Sequence, residues 1–131
     1  MKELKKLHQT KFGFPEGNCF ETCLAMLLGR EISSIPSYKE DKKWFFQYRD
    51  WLRPQGYDML AVGKWNEDAK PFCPDVFCIA GGKSPRGDFQ HAIVYYGNKL
   101  YHDPHPDGTG IENIEDYIYL VPILASEKQA K

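Results

Sequence analysis

Apolar residues recur at helical spacing in the first half of the chain and at strand spacing in the second. Phe20, Cys23, Leu24, Leu27 and Leu28 fall at i, i+3, i+4, i+7 and i+8, the stripe that one face of a helix buries. Asn18 precedes the stripe and is a favoured N-cap residue type, and Gly29 stands where a helix would stop. The spacing predicts a helix of about ten residues that starts at Cys19 and turns this position away from the core centre. A second helix is predicted over residues 42–54, with Trp44, Phe45, Tyr48, Trp51 and Leu52 on one side and Pro54 and Gly56 closing it. Ser33-Ser34-Ile35-Pro36 reads as a loop or short turn.

After Gly56 the period shortens. Residues 57–62 and 75–80 read as strands, with the charged, proline-containing stretch 64–74 as the loop between them. Residues 81–88, Gly-Gly-Lys-Ser-Pro-Arg-Gly-Asp, read as a second irregular loop. Residues 91–96 and 99–103 form a hairpin across Gly97-Asn98, and residues 117–124 are a last strand. Helices followed by strands predict an α+β domain. The polar ends, about 1–8 and 126–131, read as frayed tails. No internal repeat or low-complexity tract is present.

Composition narrows the class. A chain of 131 residues is one domain. Hydrophobic residues at 42% are enough for a packed core, and a net charge of −1 argues against a general nucleic-acid binder. No apolar run reaches the roughly 18 to 20 residues of a membrane helix, and the N-terminal residues lack a signal-peptide stretch, so the cytoplasm is the expected compartment. There, four cysteines are expected as free thiols, metal ligands or one catalytic thiol, with Cys73 and Cys78 unbridged.

Cys19 is the first candidate for chemistry. Backbone N–H groups at a helix start lack intrahelical partners and favour an anion, which stabilises a thiolate placed there. The competing reading is a small buried residue at a helix start. A cysteine nucleophile needs a base, and the base an orienting acceptor. His91 opens one hairpin strand and Asp103 closes the other, so hairpin closure brings them to one end. Regular pairing across a two-residue loop, however, sets His91 opposite Pro104 and on one face with His102. A pair of His91 with Asp103 therefore requires a longer loop or a bulge near Gly97-Asn98, or strand ends that have left the ladder, the alternative being a site shared by His91 and His102.

Other clusters are weighed beside this one. His102, Asp103, His105 and Asp107 have ligand chemistry suited to a divalent metal, but Cys19/Cys23 and Cys73/Cys78 lack zinc-site spacing, Cys23 falls on the apolar stripe, and no metal or other cofactor is expected. Arg86, in the loop before His91, has the planar fork to meet a substrate carboxylate or phosphate, against the alternative of a solvated loop arginine. No phosphate-loop or dinucleotide fingerprint is present.

Gly17-Asn18-Cys19-Phe20 opening an amphipathic helix, then His91-Ala92-Ile93-Val94 and His102-Asp103-Pro104, resembles the papain-like cysteine peptidases, in particular the bacteriocin-processing branch and small papain-fold proteins of phages and bacteria. The resemblance spans about residues 9–108. It implies a minimal papain-like fold, with the helix of the nucleophile packed on a small antiparallel sheet. It further implies Cys19 as nucleophile, His91 as base and acid, Asp103 as orienting carboxylate, and Gln9 or Asn18 as side-chain donor to an oxyanion. The expected activity is thiol-dependent cleavage or transfer at a peptide, isopeptide or related amide bond of a peptide or protein substrate. The alternatives are a non-catalytic papain-fold binding protein, such as a phage factor acting on a host partner, and a metal-dependent hydrolase built on residues 102–107.

Overall fold

The computed structural model describes residues 3–38, 40–63 and 74–123. Helix α1 (Cys19–Leu28) and helix α2 (Trp44–Leu52) are followed by a five-stranded antiparallel sheet of β1 (Tyr57–Gly63), β2 (Phe77–Lys83), β3 (Gln90–Tyr96), β4 (Lys99–His102) and β5 (Ile114–Pro122). Short 3-10 turns at Ile32–Ser34 and Arg53–Gln55 follow the two helices. The α+β class and the antiparallel sheet agree with the sequence pattern. The loop expected over residues 64–74 and the end of the strand expected to reach residue 124 fall almost wholly outside the described residues, as do Cys73 and the 126–131 tail.

The spatial order is β1-β5-β2-β3-β4, with β5 returning to lie between β1 and β2. One sheet face, through Met59, Ile79, Ala92, Val94 and Ile118, packs on α1 and α2 in the main core. The other face holds a smaller cluster of Cys78, Ala80, Ile93, Tyr117 and Tyr119. α1 is covered more fully than its stripe predicted: every residue from Phe20 to Met26 is buried, Glu21 and Thr22 included. Sheet, α2 and the N-terminal segment enclose it on several sides. It ends as expected at Gly29, in the left-handed conformation, with Arg30 N–H donating to the Ala25 carbonyl. α2 is tied to β1 by the Arg49 fork on Asp58 (2.7 and 3.0 Å).

Two expectations are corrected. Gly81, Gly82 and Lys83 belong to β2, not to a loop. A Cβ on Gly82 would lie 1.9 Å from the Asn113 carbonyl oxygen, and one on Gly81 would lie 2.8 Å from Asp116 Oδ1. The glycines thus serve close approach at the register shift between β2 and β5, where Gly81 faces Asp116 and Gly82 faces Ile114. The described part of the N-terminal tail is not frayed. Leu4 and Leu7 pack on the main core, Tyr101 Oη exchanges hydrogen bonds with Leu4 N–H and C=O, and His102 Nε2 meets the Leu7 carbonyl at 2.7 Å.

Candidate active site

Cys19 is the first residue of α1 and half-buried. The loop before it is compact: Gly17 N–H donates to the Gly13 carbonyl at 3.0 Å and Asn18 N–H to the Lys11 carbonyl at 3.2 Å. Gly17 permits this approach, since a Cβ there would sit 2.1 Å from the Gly13 oxygen. Asn18 does not cap the helix with its side chain. Its Oδ1 accepts from Thr10 N–H and Lys11 N–H (both 3.0 Å), and its Nδ2 donates to Thr10 Oγ1 at 2.9 Å. This buried amide holds residues 10–11 against the helix start, which corrects its capping role; one N–H on Nδ2 is left over.

The hairpin solves the register problem with a bulge. Tyr96 pairs with Lys99 and Tyr95 with Leu100, but Val94 pairs with His102. Tyr101 is therefore the extra residue, and everything after it moves by one. Asp103 arrives on the face of His91, while His102 goes to the other face, against Leu7 and edge-on to His8 (4.9 Å between centroids). The loop itself remains two residues, Gly97 (φ +62°) and Asn98.

His91 and Asp103 are both buried, at 3% and 5% exposure, and Nε2 of His91 lies 2.7 Å from Asp103 Oδ1. The carboxylate also accepts His105 N–H on Oδ1 (2.9 Å) and Gly110 N–H on Oδ2 (2.7 Å). Desolvation would raise the Asp103 pKa, but the hydrogen bonds from His91 and from the two backbone donors outweigh it and hold the group below the usual carboxylate value. Burial likewise pulls His91 down. The hydrogen bond to Asp103 and the interaction with the Cys19 side chain prevail, and its pKa is pushed up to about 9. With Nε2 held by the carboxylate, Nδ1 is the ring nitrogen left for the thiol.

Cys19 and His91 line two adjoining cavities. One, of about 160 Å³, is mixed in character, with Gln9, Arg86, Gln90 and His105 beside Phe12 and Phe89. Gln9 is buried, and its backbone N–H donates to the Pro104 carbonyl at 2.9 Å, beside Asp103. Its Nε2 donates to the Lys11 carbonyl at 2.8 Å, which leaves a second N–H on that nitrogen, and Oε1 has no hydrogen-bond partner among the described residues. The loop over residues 11–17 doubles back on itself, so ten positions of sequence separation shrink to one shared cavity. Arg86, which lines this cavity, is held by Nη1 bonds to Asp107 (3.0 Å) and Thr109 Oγ1 (2.8 Å).

The other cavity, of about 240 Å³, is apolar, with Phe14, Phe20, Trp44, Ile79 and Ile118 on its walls and Asp116 among them. Sequence reasoning missed Trp44 and Asp116 as site residues. Period-2 spacing from Ile118 puts Asp116 on the apolar face of β5, but a strand expected over 117–124 leaves Asp116 outside it. The cluster weighed as a metal site disperses: His102 turns to Leu7, Asp103 to His91 and Asp107 to Arg86. Among the described residues no three His, Cys, Asp or Glu side chains converge as metal ligands. Cys23 and Cys78 are buried in the two clusters on either side of the sheet.

No family model, curated protein or solved structure matches the chain.

Proposed function

We propose that the chain is a papain-like thiol hydrolase or acyl transferase acting on a peptide, isopeptide or related amide bond through Cys19, His91 and Asp103. The observation that carries the reading is the buried His91–Asp103 hydrogen bond at 2.7 Å, which takes Nε2 and leaves Nδ1 unused on a ring that shares its cavities with a thiol at a helix start. A carboxylate acceptor fixes tautomer and ring plane, which the base in this chemistry requires.

The Cys19 thiol gives its proton to His91 Nδ1, and the sulfur attacks the carbonyl carbon. Negative charge gathers on the carbonyl oxygen, where the backbone N–H of Cys19 at the start of α1 and the second amide N–H of Gln9 are the donors. His91 returns the proton to the departing amine nitrogen as the C–N bond breaks, which leaves a thioester. His91 then takes a proton from water or an amine, which attacks the thioester carbon, and the thiol is restored. The sequence order Cys, His, Asp supports the papain-like assignment.

The test is mapping by mass spectrometry of a limiting dose of iodoacetamide at mildly acidic pH. Labelling confined to Cys19, and lost in His91→Ala, is expected. Equal labelling of Cys19 and the other cysteines in the folded protein would overturn the reading.

A further inference from the structure

The apolar cavity holds one feature that a greasy subsite does not need. Asp116 lies on β5, opposite Gly81 and on the sheet face that carries Ile79 and Ile118. Its Oδ1 sits over the Gly81 backbone, in space that a Cβ would fill at 2.8 Å. Among the described residues no side chain or backbone donor pairs with this half-buried carboxylate. Burial, reinforced by the neighbouring Glu115 charge, raises its pKa, as expected for a carboxylate without a counter-charge. Around it stand three aromatic rings. Phe20 and Trp44 meet edge to face at 5.5 Å, and Phe14 is 61% exposed at the rim.

We infer that this cavity is a subsite for a basic side chain, lysine or arginine, in the substrate, with the aliphatic stem between Phe14, Phe20 and Trp44 and the cationic head on Asp116. The inference rests on the thiol chemistry proposed above, because the cavity shares Cys19 and His91 with that site. A long basic side chain carries an apolar stem and a charged tip. Aromatic faces attract the cation, and an unpaired, partly desolvated carboxylate gains more from it than one in water. A purely aliphatic side chain would fill the volume but leave the carboxylate buried without a partner, a cost that discriminates against it. An acidic side chain would meet like charge.

Two measurements test this separately from the chemistry. Fluorogenic peptides carrying arginine, lysine, norleucine or glutamate within two residues of the labelled amide bond give kcat/KM ratios. Arginine or lysine should exceed norleucine by roughly tenfold, and the ratio should fall to about one in Asp116→Asn, whose fold is checked by thermal unfolding. In Cys19→Ser, the amide NMR signals of Gly81 and Asp116 should shift with acetyl-arginine methylamide and stay still with the norleucine analogue. Equal preference for norleucine in the wild type, a basic preference that survives Asp116→Asn, or absence of the arginine-specific shifts would overturn the subsite. Arginine-specific shifts in a protein whose Cys19 shows no selective alkylation would instead uphold the subsite and overturn the thiol reading.

Discussion

His91 has two partners, Asp103 and Cys19, and its properties follow from both. Its pKa rises from the ordinary 6.5 to about 9, so the folded chain binds a proton more tightly than the unfolded chain. The stabilisation is complete below about pH 6.5 and is lost as pH rises through 9, with a ceiling of about 3 kcal/mol. Urea unfolding at about pH 6 and about pH 9.5 should therefore show wild type losing stability relative to His91→Gln; parallel behaviour of the two would contradict the pairing. Asp103 satisfies three donors, whereas His102 meets the Leu7 carbonyl and the His8 ring on the opposite face. In a turnover assay Asp103→Ala should lose on the order of a thousandfold in kcat, and His102→Ala far less. The reverse ranking would place the orienting group elsewhere. Helical periodicity made Cys19 legible, and the strand ends made His91 and Asp103 legible. Asp116 went unread because the strand expected over 117–124 starts one residue after it, and only the cavity shows what it faces.

Among the elements, β2 and the hairpin do the positioning. β2 carries the two glycines that let β5 close against it, and their side-chain-free surface makes room for the Asn113 carbonyl and the Asp116 carboxylate. Gly82→Ala should destabilise the domain by about 3 kcal/mol through overpacking against backbone that cannot retreat. Gly63→Ala, at a position with open space, should change stability by less than about 1 kcal/mol. Thermal melts of the two variants distinguish a packing constraint from a general intolerance of side chains in the sheet. A glycine pair followed by Lys-Ser-Pro has the composition of a loop, so sequence alone placed it there. The partner strand that turns those glycines into a close contact lies some thirty positions downstream.

At the scale of the whole molecule, the N-terminal segment straps α1 to β4. Leu4 and Leu7 join the main core, and Tyr101 Oη both donates to and accepts from the Leu4 backbone. Gln9 follows directly and reaches the site. Tyr101→Phe should cost about 1 to 2 kcal/mol for the two lost hydrogen bonds and raise amide exchange at residues 4–9; unchanged exchange there would show the strap is held by Leu4 and Leu7 alone.

The sequence by itself determined the α+β class, the bounds of α1, the hairpin and the residue types at Cys19, His91 and Asp103. These depend on local periodicity, turn chemistry and caps, which act over a few residues. It also showed that regular pairing would favour His102 and that Asp103 needed a longer loop, a bulge or strand ends outside the ladder. Tertiary structure decided where that bulge falls, at Tyr101, how Gln9 crosses the 11–17 loop to the cavity, and that Asn18 binds Thr10 and Lys11 in place of capping α1. It also turned a tail with polar character into a packed strap. Each of these depends on contacts between segments far apart in the chain, where the energy of burial and of satisfying buried hydrogen-bonding groups outweighs local preference.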